Sequence, residues 1–230
     1  MFAVMFLAEN SVIAFSARLQ FLKEEQRSEA PIIQTIDLGQ DKRVNIFVGD
    51  GNLRSKERSA DVALAQLIAH CPSFVNDQNV LELECGFGLA SAAAGKHAHP
   101  NHIALTDYDG DNLRRAYTSV TQLHRSKASV SRCVMNWADK TTWPNQNYDI
   151  LLGSDILREK GGIWPLVEVL QHYLCSEGRG DKPKCALIVD PVNRSNRDGF
   201  CYAAFRAGLE ADPVPCPGMD DFVLISVTAA

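Results

Sequence analysis

The chain has 230 residues, 46% of them hydrophobic and 22% charged, which supports one generous domain with a real core and excludes disorder, collagen and coiled coil. Its 28 acidic residues outnumber 23 basic ones, giving a net charge of -5, and no basic tract offers a footprint for nucleic acid. No apolar run approaches the roughly 20 residues that cross a bilayer, and Met1 to Ala8 lacks the basic start of a signal peptide. The seven cysteines are scattered and form no C-x-x-C pair, so reduced thiols and a cytoplasmic location are expected, with the nucleus as the alternative.

In chain order, Ser11 is placed to cap a helix running to about Arg27, with Val12, Phe15, Leu19 and Leu22 on one face and Pro31 beyond its end. Ile32 to Leu38 and the alternation Val44, Ile46, Val48 read as a hairpin about the turn Gly39 to Arg43, closed by Asp50-Gly51-Asn52. A helix is expected from about Ser59 to Ala69, before Pro72. Beyond Asn79, strands at Val80 to Glu84, His102 to Asp107, Val130 to Asn136, Asp149 to Gly153 and Cys185 to Asp190 alternate with helices. The helices fall at about Leu89 to His97, Gly110 to His124, Ile163 to Cys175 and Arg197 to Ala207. This rhythm predicts an α/β, Rossmann-like, mostly parallel sheet with helices on both faces. Phe222 to Val227 follows Pro213-Val214-Pro215 too closely for a helical crossover, so it should pair antiparallel near the sheet edge. Residues 1–58 are expected to form a helix-and-hairpin extension packed on a main domain of residues 59–230.

Ligands of open α/β sheets collect at the carboxyl ends of the strands. There the first strand of the series runs into Glu82-Leu83-Glu84-Cys85-Gly86-Phe87-Gly88-Leu89, two glycines opening a helix whose free amides face a ligand. The next strand ends in Thr106-Asp107-Tyr108-Asp109, close to the ~20-residue interval at which an acidic side chain meets ribose hydroxyls; the alternative role of Asp107 is a helix cap. Together they predict a nucleoside-binding crevice. Gly86-x-Gly88-x-x-Ser91 is also near a dinucleotide fingerprint. Glu82 before the glycines, the late entry of the unit, and Asn136-Trp137 at the third strand tip lean towards S-adenosylmethionine, the indole being suited to stack on an adenine or else to pack in the core.

At these residues the sequence resembles the seven-strand S-adenosylmethionine-dependent protein-lysine methyltransferases, in the branch that includes the enzymes acting on calmodulin and on the electron-transfer flavoprotein β subunit. Val80 to Leu89 is similar to the family's V-L-E-L-G-x-G-x-G-L loop, and Asp107 matches its ribose-binding acid. Asn136-Trp137 resembles its D-W, Leu152-Gly153-Ser154-Asp155 its L-G-A-D, and Asp190-Pro191 with Arg194 the D-P-G-R of some members. The resemblance implies a seven-stranded sheet, S-adenosylmethionine as cofactor, and a cofactor pocket made by Glu84, Cys85, Gly86, Gly88, Asp107, Tyr108, Asn136, Trp137 and Ser154. It further implies a protein substrate with a lysine acceptor; a monomer is expected.

Three departures stand beside it. Glu84 occupies the place of the first glycine, no tryptophan precedes the first helix of the domain at Ser59 to Val62, and Asp155-Ile156-Leu157-Arg158 lacks the tyrosine of D-x-x-Y. A non-catalytic binding module is therefore one alternative, small-molecule N-methylation another, and a nicotinamide-dependent oxidoreductase a third. Asp155 is the candidate catalytic residue, orienting an amine; its alternative is to cap the turn towards Glu159 and Gly161. The hairpin, Asp155, Glu159 and Asp220-Asp221 are expected to form a negative rim for a basic protein segment. His97, His99 and His102 fall at the amino ends of the strands, so no metal site is expected. Arg114, Arg115, Arg194 and Arg197 read as solvated charges.

Overall fold

The computed structural model describes residues 32–48, 59–124, 126–176 and 184–230. The helix at Ser11 to Arg27, the turn at Asp50 to Asn52 and most of the polar loop after Ser176 lie outside them. Residues Ile33–Ala230 form one unit.

The predicted hairpin is present as β1 (Ile33–Asp37) and β2 (Arg43–Phe47), paired antiparallel with Ile36 opposite Val44. Helix α1 (Ala60–His70) follows, its first turn capped where Ser59 Oγ accepts from Val62 N–H at 3.3 Å. Strands β3 (Asn79–Leu83), β4 (His102–Asp107), β5 (Ser129–Val134), β6 (Ile150–Ser154) and β7 (Cys185–Pro191) then alternate with α2 (Leu89–His97), α3 (Gly110–Thr118), α4 (Ile163–Leu174) and α5 (Arg197–Arg206). The predicted helix to His124 ends its α-turns at Thr118 and continues as a π-turn over Ser119–Leu123.

The seven-stranded sheet has the order β5-β4-β3-β6-β7-β9-β8, with β3 to β7 parallel and β9 (Phe222–Ala229) antiparallel to both neighbours. Pairing β9 beside β7, with Ile188 opposite Ile225, meets the antiparallel expectation. The remaining strand of the sheet, β8 (Leu209–Pro215), runs through Pro213-Val214-Pro215, where no strand was expected. It forms the edge of the sheet, where one side of the strand needs no ladder partner and proline is tolerated.

Period-two alternation divides the strand residues between two cores. Val80, Ile103, Leu105, Ile150 and Leu152 join the cluster containing α1, α2 and the hairpin, whereas Leu81, Leu83, Ala104 and Leu151 join that of α4 and α5. Helix α1 is apolar on most of its surface because it packs against α2 on one side and β6 and β7 on another, while the hairpin covers α2 and α3: Leu38, Val44, Ile46 and Val48 are at most 1% exposed. The hairpin is fastened at the last turns of three helices. Leu38 C=O bonds His70 Nε2 at 2.8 Å, Lys96 Nζ donates to Arg43 C=O at 2.6 Å, and Phe47 N–H donates to Ser119 Oγ at 2.9 Å. Those helix ends lie at the amino edge of the parallel strands. The hairpin therefore does not join Asp155 in a rim, which corrects that expectation.

Candidate active site

Strand order reverses about β3, whose successor β4 lies on one side and β6 on the other, so the crevice opens over the tips of β3 and β6. The chain leaves β3 through Glu84 at φ +48°, then Gly86 at +51° and Gly88 at +72°. A left-handed backbone is free for glycine and costs Glu84 about 1 kcal/mol, so this position asks for the glycine that the family pattern carries. At Gly88 a Cβ would lie 2.7 Å from Ala116 Cβ, which ties the start of α2 to α3. At Gly86 no atom of the described residues lies within 4 Å of such a Cβ.

The loop is held from β4. Cys85 N–H donates to Thr106 C=O and Gly86 N–H to Asp107 Oδ2, both at 2.8 Å, while Asp107 Oδ1 accepts from Asp109 N–H at 2.8 Å. Burial raises the Asp107 carboxyl above its ordinary range, and the Asp109 and Gly86 N–H groups oppose that shift. The cap of α3 is Asp109, whose Oδ1 accepts from Asp111 and Asn112 N–H; Asp107 does not cap the helix.

A cleft of about 390 Å³ opens above these tips, lined among others by Glu84, Tyr108, Asn136, Trp137, Arg158 and Glu159. Tyr108 is 70% exposed, and Trp137 packs against the core cluster of α4 and α5. Asn136 braces the β5 tip: its Oδ1 accepts from Ala138 N–H at 3.0 Å and its carbonyl from the Trp143 indole at 3.1 Å. Cys85 and Ser154 line instead a small recess of about 10 Å³, with Asp61 and Glu82. Ser154 Oγ donates to Asp61 Oδ1 at 2.5 Å. Ser91 N–H donates to Glu82 Oε2 at 3.2 Å and its hydroxyl to the same oxygen. Burial pushes the Glu82 carboxyl up to about 8, raises Asp61, and holds the Cys85 thiol well above its ordinary value and hence protonated. Asp61 was not legible in the sequence, because an acid in a first helical turn ordinarily complements the helix dipole.

Asp155, at φ +54°, does not cap the turn towards Glu159 and Gly161. Its carboxylate pairs with Arg194 on one oxygen and lies 3.7 Å from Arg158 Nε on the other. Arg194 Nε also donates to Asp190 Oδ2 at 3.1 Å, and Arg197 lies 3.9 Å from that oxygen. Asp190 is fully buried and the side chains of Arg194 and Arg197 are 20% and 15% exposed, so the expectation that these arginines are solvated is corrected. An arginine three residues after a strand carries no mark of the buried acid it will meet, because that acid is hidden only when β7 enters the sheet. The histidines act locally: His97 Nε2 bonds Arg43 C=O at 3.2 Å, and His102 bonds Ser129 and Ser131 at 2.7 and 3.0 Å.

The carboxyl-edge cleft suits an adenosyl group. Tyr108 and Trp137 line it with two aromatic rings, and beside it the glycine loop is pinned to the buried Asp107 carboxylate through Gly86 N–H. The volume lies within the range of small-molecule pockets.

This topology defines a class I, Rossmann-like methyltransferase fold. The chain is similar in fold to a methyltransferase from Pyrococcus furiosus, at 11% identity and TM-score 0.59 over 80% of this chain and 90% of that one. It is also similar to the ribosomal protein L11 methylase of Lactobacillus delbrueckii subsp. bulgaricus, at 12% identity and TM-score 0.55 over 80% and 82%. A third likeness is to SMU.776, solved in complex with SAH, at 12% identity and TM-score 0.63 over 86% of this chain and 56% of that one. A search of the curated proteins found no match. The family model described as lysine methyltransferase matches residues 59–189, more than half of the chain, and the chain belongs to that family.

Proposed function

We propose that the protein transfers a methyl group from S-adenosylmethionine to the side-chain amine of a lysine in a protein substrate. The observation that carries this reading is the cleft over the β3 and β6 tips, where Tyr108, Asn136 and Trp137 meet the carboxylates Glu84 and Glu159, next to the glycine loop that Asp107 pins from beneath. Family membership supports the lysine acceptor. Within the family, the motifs favour the branch that acts on calmodulin and the flavoprotein β subunit.

When bound, the cofactor supplies the methyl group as an electrophile and needs no general acid from the protein. This chain's residues hold and align. Asp107, which fixes the loop through Gly86 N–H, would accept hydrogen bonds from the ribose hydroxyls, Tyr108 and Trp137 would hold the base, and Asn136 braces the strand tip beside them. Gly86 would let the chain approach the cofactor and Gly88 seats the loop against α3, with Cys85 and Ser154 closing the recess at the loop. A lysine of ordinary pKa ~10.4 presents its neutral amine at pH 7 at a cost of roughly 4 to 5 kcal/mol. Asp155 attracts the ammonium and orients it but does not deprotonate it, since a carboxylate raises the pKa of a neighbouring amine.

The double engagement of Asp155 by Arg158 and Arg194 favours a second reading, a binding module without turnover. Melting and label transfer separate them. S-adenosylmethionine at a hundred times its dissociation constant should stabilise the protein by about 2.7 kcal/mol, and NAD should not. Asp107→Ala should weaken that binding by roughly 1.5 to 3 kcal/mol, the worth of hydrogen bonds to a charged group. Labelled cofactor incubated with lysate proteins should yield methyl-lysine on hydrolysis. A cofactor-dependent melting shift with no label transfer establishes the binding module, and a shift with NAD alone removes the methyltransferase reading.

A further inference from the structure

The loop after β6 brings one guanidinium to the cleft. Arg158 lines it with Glu84 and Glu159, and its side chain is 58% exposed. One terminal nitrogen lies 3.7 Å from Glu84 Oε2 and Nε lies 3.7 Å from Asp155 Oδ2. Both separations exceed hydrogen-bond length, and among the described residues no hydrogen bond of this guanidinium is found. Arg158 is therefore held by charge alone, from two carboxylates carried on two different loops. The other cation on Asp155 differs: Arg194 is 20% exposed and anchored by hydrogen bonds to Asp190, which is fully buried. One cation at Asp155 is thus fixed and the other is displaceable, because half-exposed ion pairs without hydrogen bonds hold weakly.

We propose that Arg158 determines which acceptors the cleft admits. Its guanidinium stands between Glu84 and Asp155, where an incoming lysine ammonium would be held, and a cationic amine enters only by displacing it. The exchange of one monovalent cation for another leaves the charge balance of the two carboxylates unchanged, so its cost is the loss of two weak pairs and not the burial of a new charge. A neutral acceptor gains nothing from that exchange. The inference rests on the lysine reading above, and it gives Glu84 a role that a glycine at the same place would not serve.

The test uses the full chain and n-butylamine, the lysine side chain as a free molecule, with n-butanol as its uncharged counterpart. The Arg158 Nε–H signal is followed by NMR during titration at neutral pH. The amine should shift this signal and the alcohol should not. Arg158→Gln should bind the amine about fivefold more tightly than wild type, the factor expected when one weak ion pair no longer has to be broken, and Glu84→Gln/Arg158→Gln should lose that gain. Arg158→Ala removes the same charge, should show the same gain, and serves if the glutamine variant does not fold. Equal affinity of wild type and Arg158→Gln, or equal shifts by amine and alcohol, overturns the proposal. Displacement by the amine with no methyl-lysine formed on any protein removes the lysine reading alone, and methyl-lysine formation unchanged in Arg158→Gln removes the gating role alone.

Discussion

Glu82 is 3% exposed on β3, and the N–H and hydroxyl of Ser91 on α2 both end on one of its oxygens. Burial moves its carboxyl from an ordinary value of 4.5 up to about 8, and the neighbouring Asp61 and Asp107 add to the rise. Between those values the folded protein keeps a proton that the unfolded chain has released. The stability owed to Glu82 is therefore complete below pH 4.5 and declines as the pH rises to about 8, by at most about 1.4 kcal/mol per pH unit. The raised carboxyls of Asp61, Asp107 and Asp190 act in the same direction. Glu82→Gln keeps an acceptor oxygen for Ser91 and removes the titration, so urea unfolding between about pH 5 and pH 8 should show a flatter dependence than wild type. A variant with the wild-type slope would mean that Glu82 is already ionised in the folded protein.

At the scale of elements, the start of α2 has almost no room beside α3. Gly88 combines a left-handed φ of +72° with a missing Cβ that would fall 2.7 Å from Ala116 Cβ and 3.1 Å from its Cα. Gly88→Ala should destabilise the protein by about 2 to 4 kcal/mol, the sum of backbone strain and overpacking. Gly86→Ala meets no neighbour within 4 Å among the described residues and should cost only the strain of its φ, about 1 kcal/mol. Urea unfolding of the two variants measures the difference, and equal losses would place the effect in φ alone. The tip of β7 offers a second contrast. Asp190 gathers Arg194 and Arg197, and Asp190→Asn should cost about 3 kcal/mol because it leaves two largely covered guanidiniums short of their carboxylate. It should also loosen Arg194 from Asp155, and an unchanged unfolding free energy would show the network to be ornamental.

For the whole molecule, the hairpin is part of the core and not an appendage. Leu38, Val44, Ile46 and Val48 are nearly inaccessible and complete the cover of α2 and α3. Each such side chain contributes about 1.5 to 3 kcal/mol on burial, and a chain that lacks residues 33–48 would also expose the side of α2 and α3 that the hairpin covers. That deletion should abolish cooperative thermal unfolding, as followed by circular dichroism and calorimetry. A deleted chain that melts as the full chain does would make the hairpin a removable element. Its fastening to the last turns of α1, α2 and the π-turn after α3 places it at the amino edge of the sheet, so its contribution to the carboxyl-edge cleft acts through the helices it covers.

The order of elements, the parallel strands and the glycine loop were legible because they are local: apolar runs of strand length, helical spacing between them, and glycines where the backbone turns left-handed. The pairing of Asp107 with the glycine loop was foreseeable from the interval between them, although its bond to Gly86 N–H was not. The edge strand β8 was hidden by Pro213 and Pro215, since propensity cannot tell an edge from an interior position. Side-chain partners belonged to the tertiary structure alone. Glu84, Asp155 and Arg158 come together because β3 and β6 are neighbours in the sheet though 67 residues separate Leu83 from Ile150. Asp190 is buried because β9 returns antiparallel beside β7, and that closure decides that Arg194 and Arg197 turn inward to meet it. Charges distant in the chain are matched by the packing of the backbone that carries them, and desolvation then makes the matching energetically necessary.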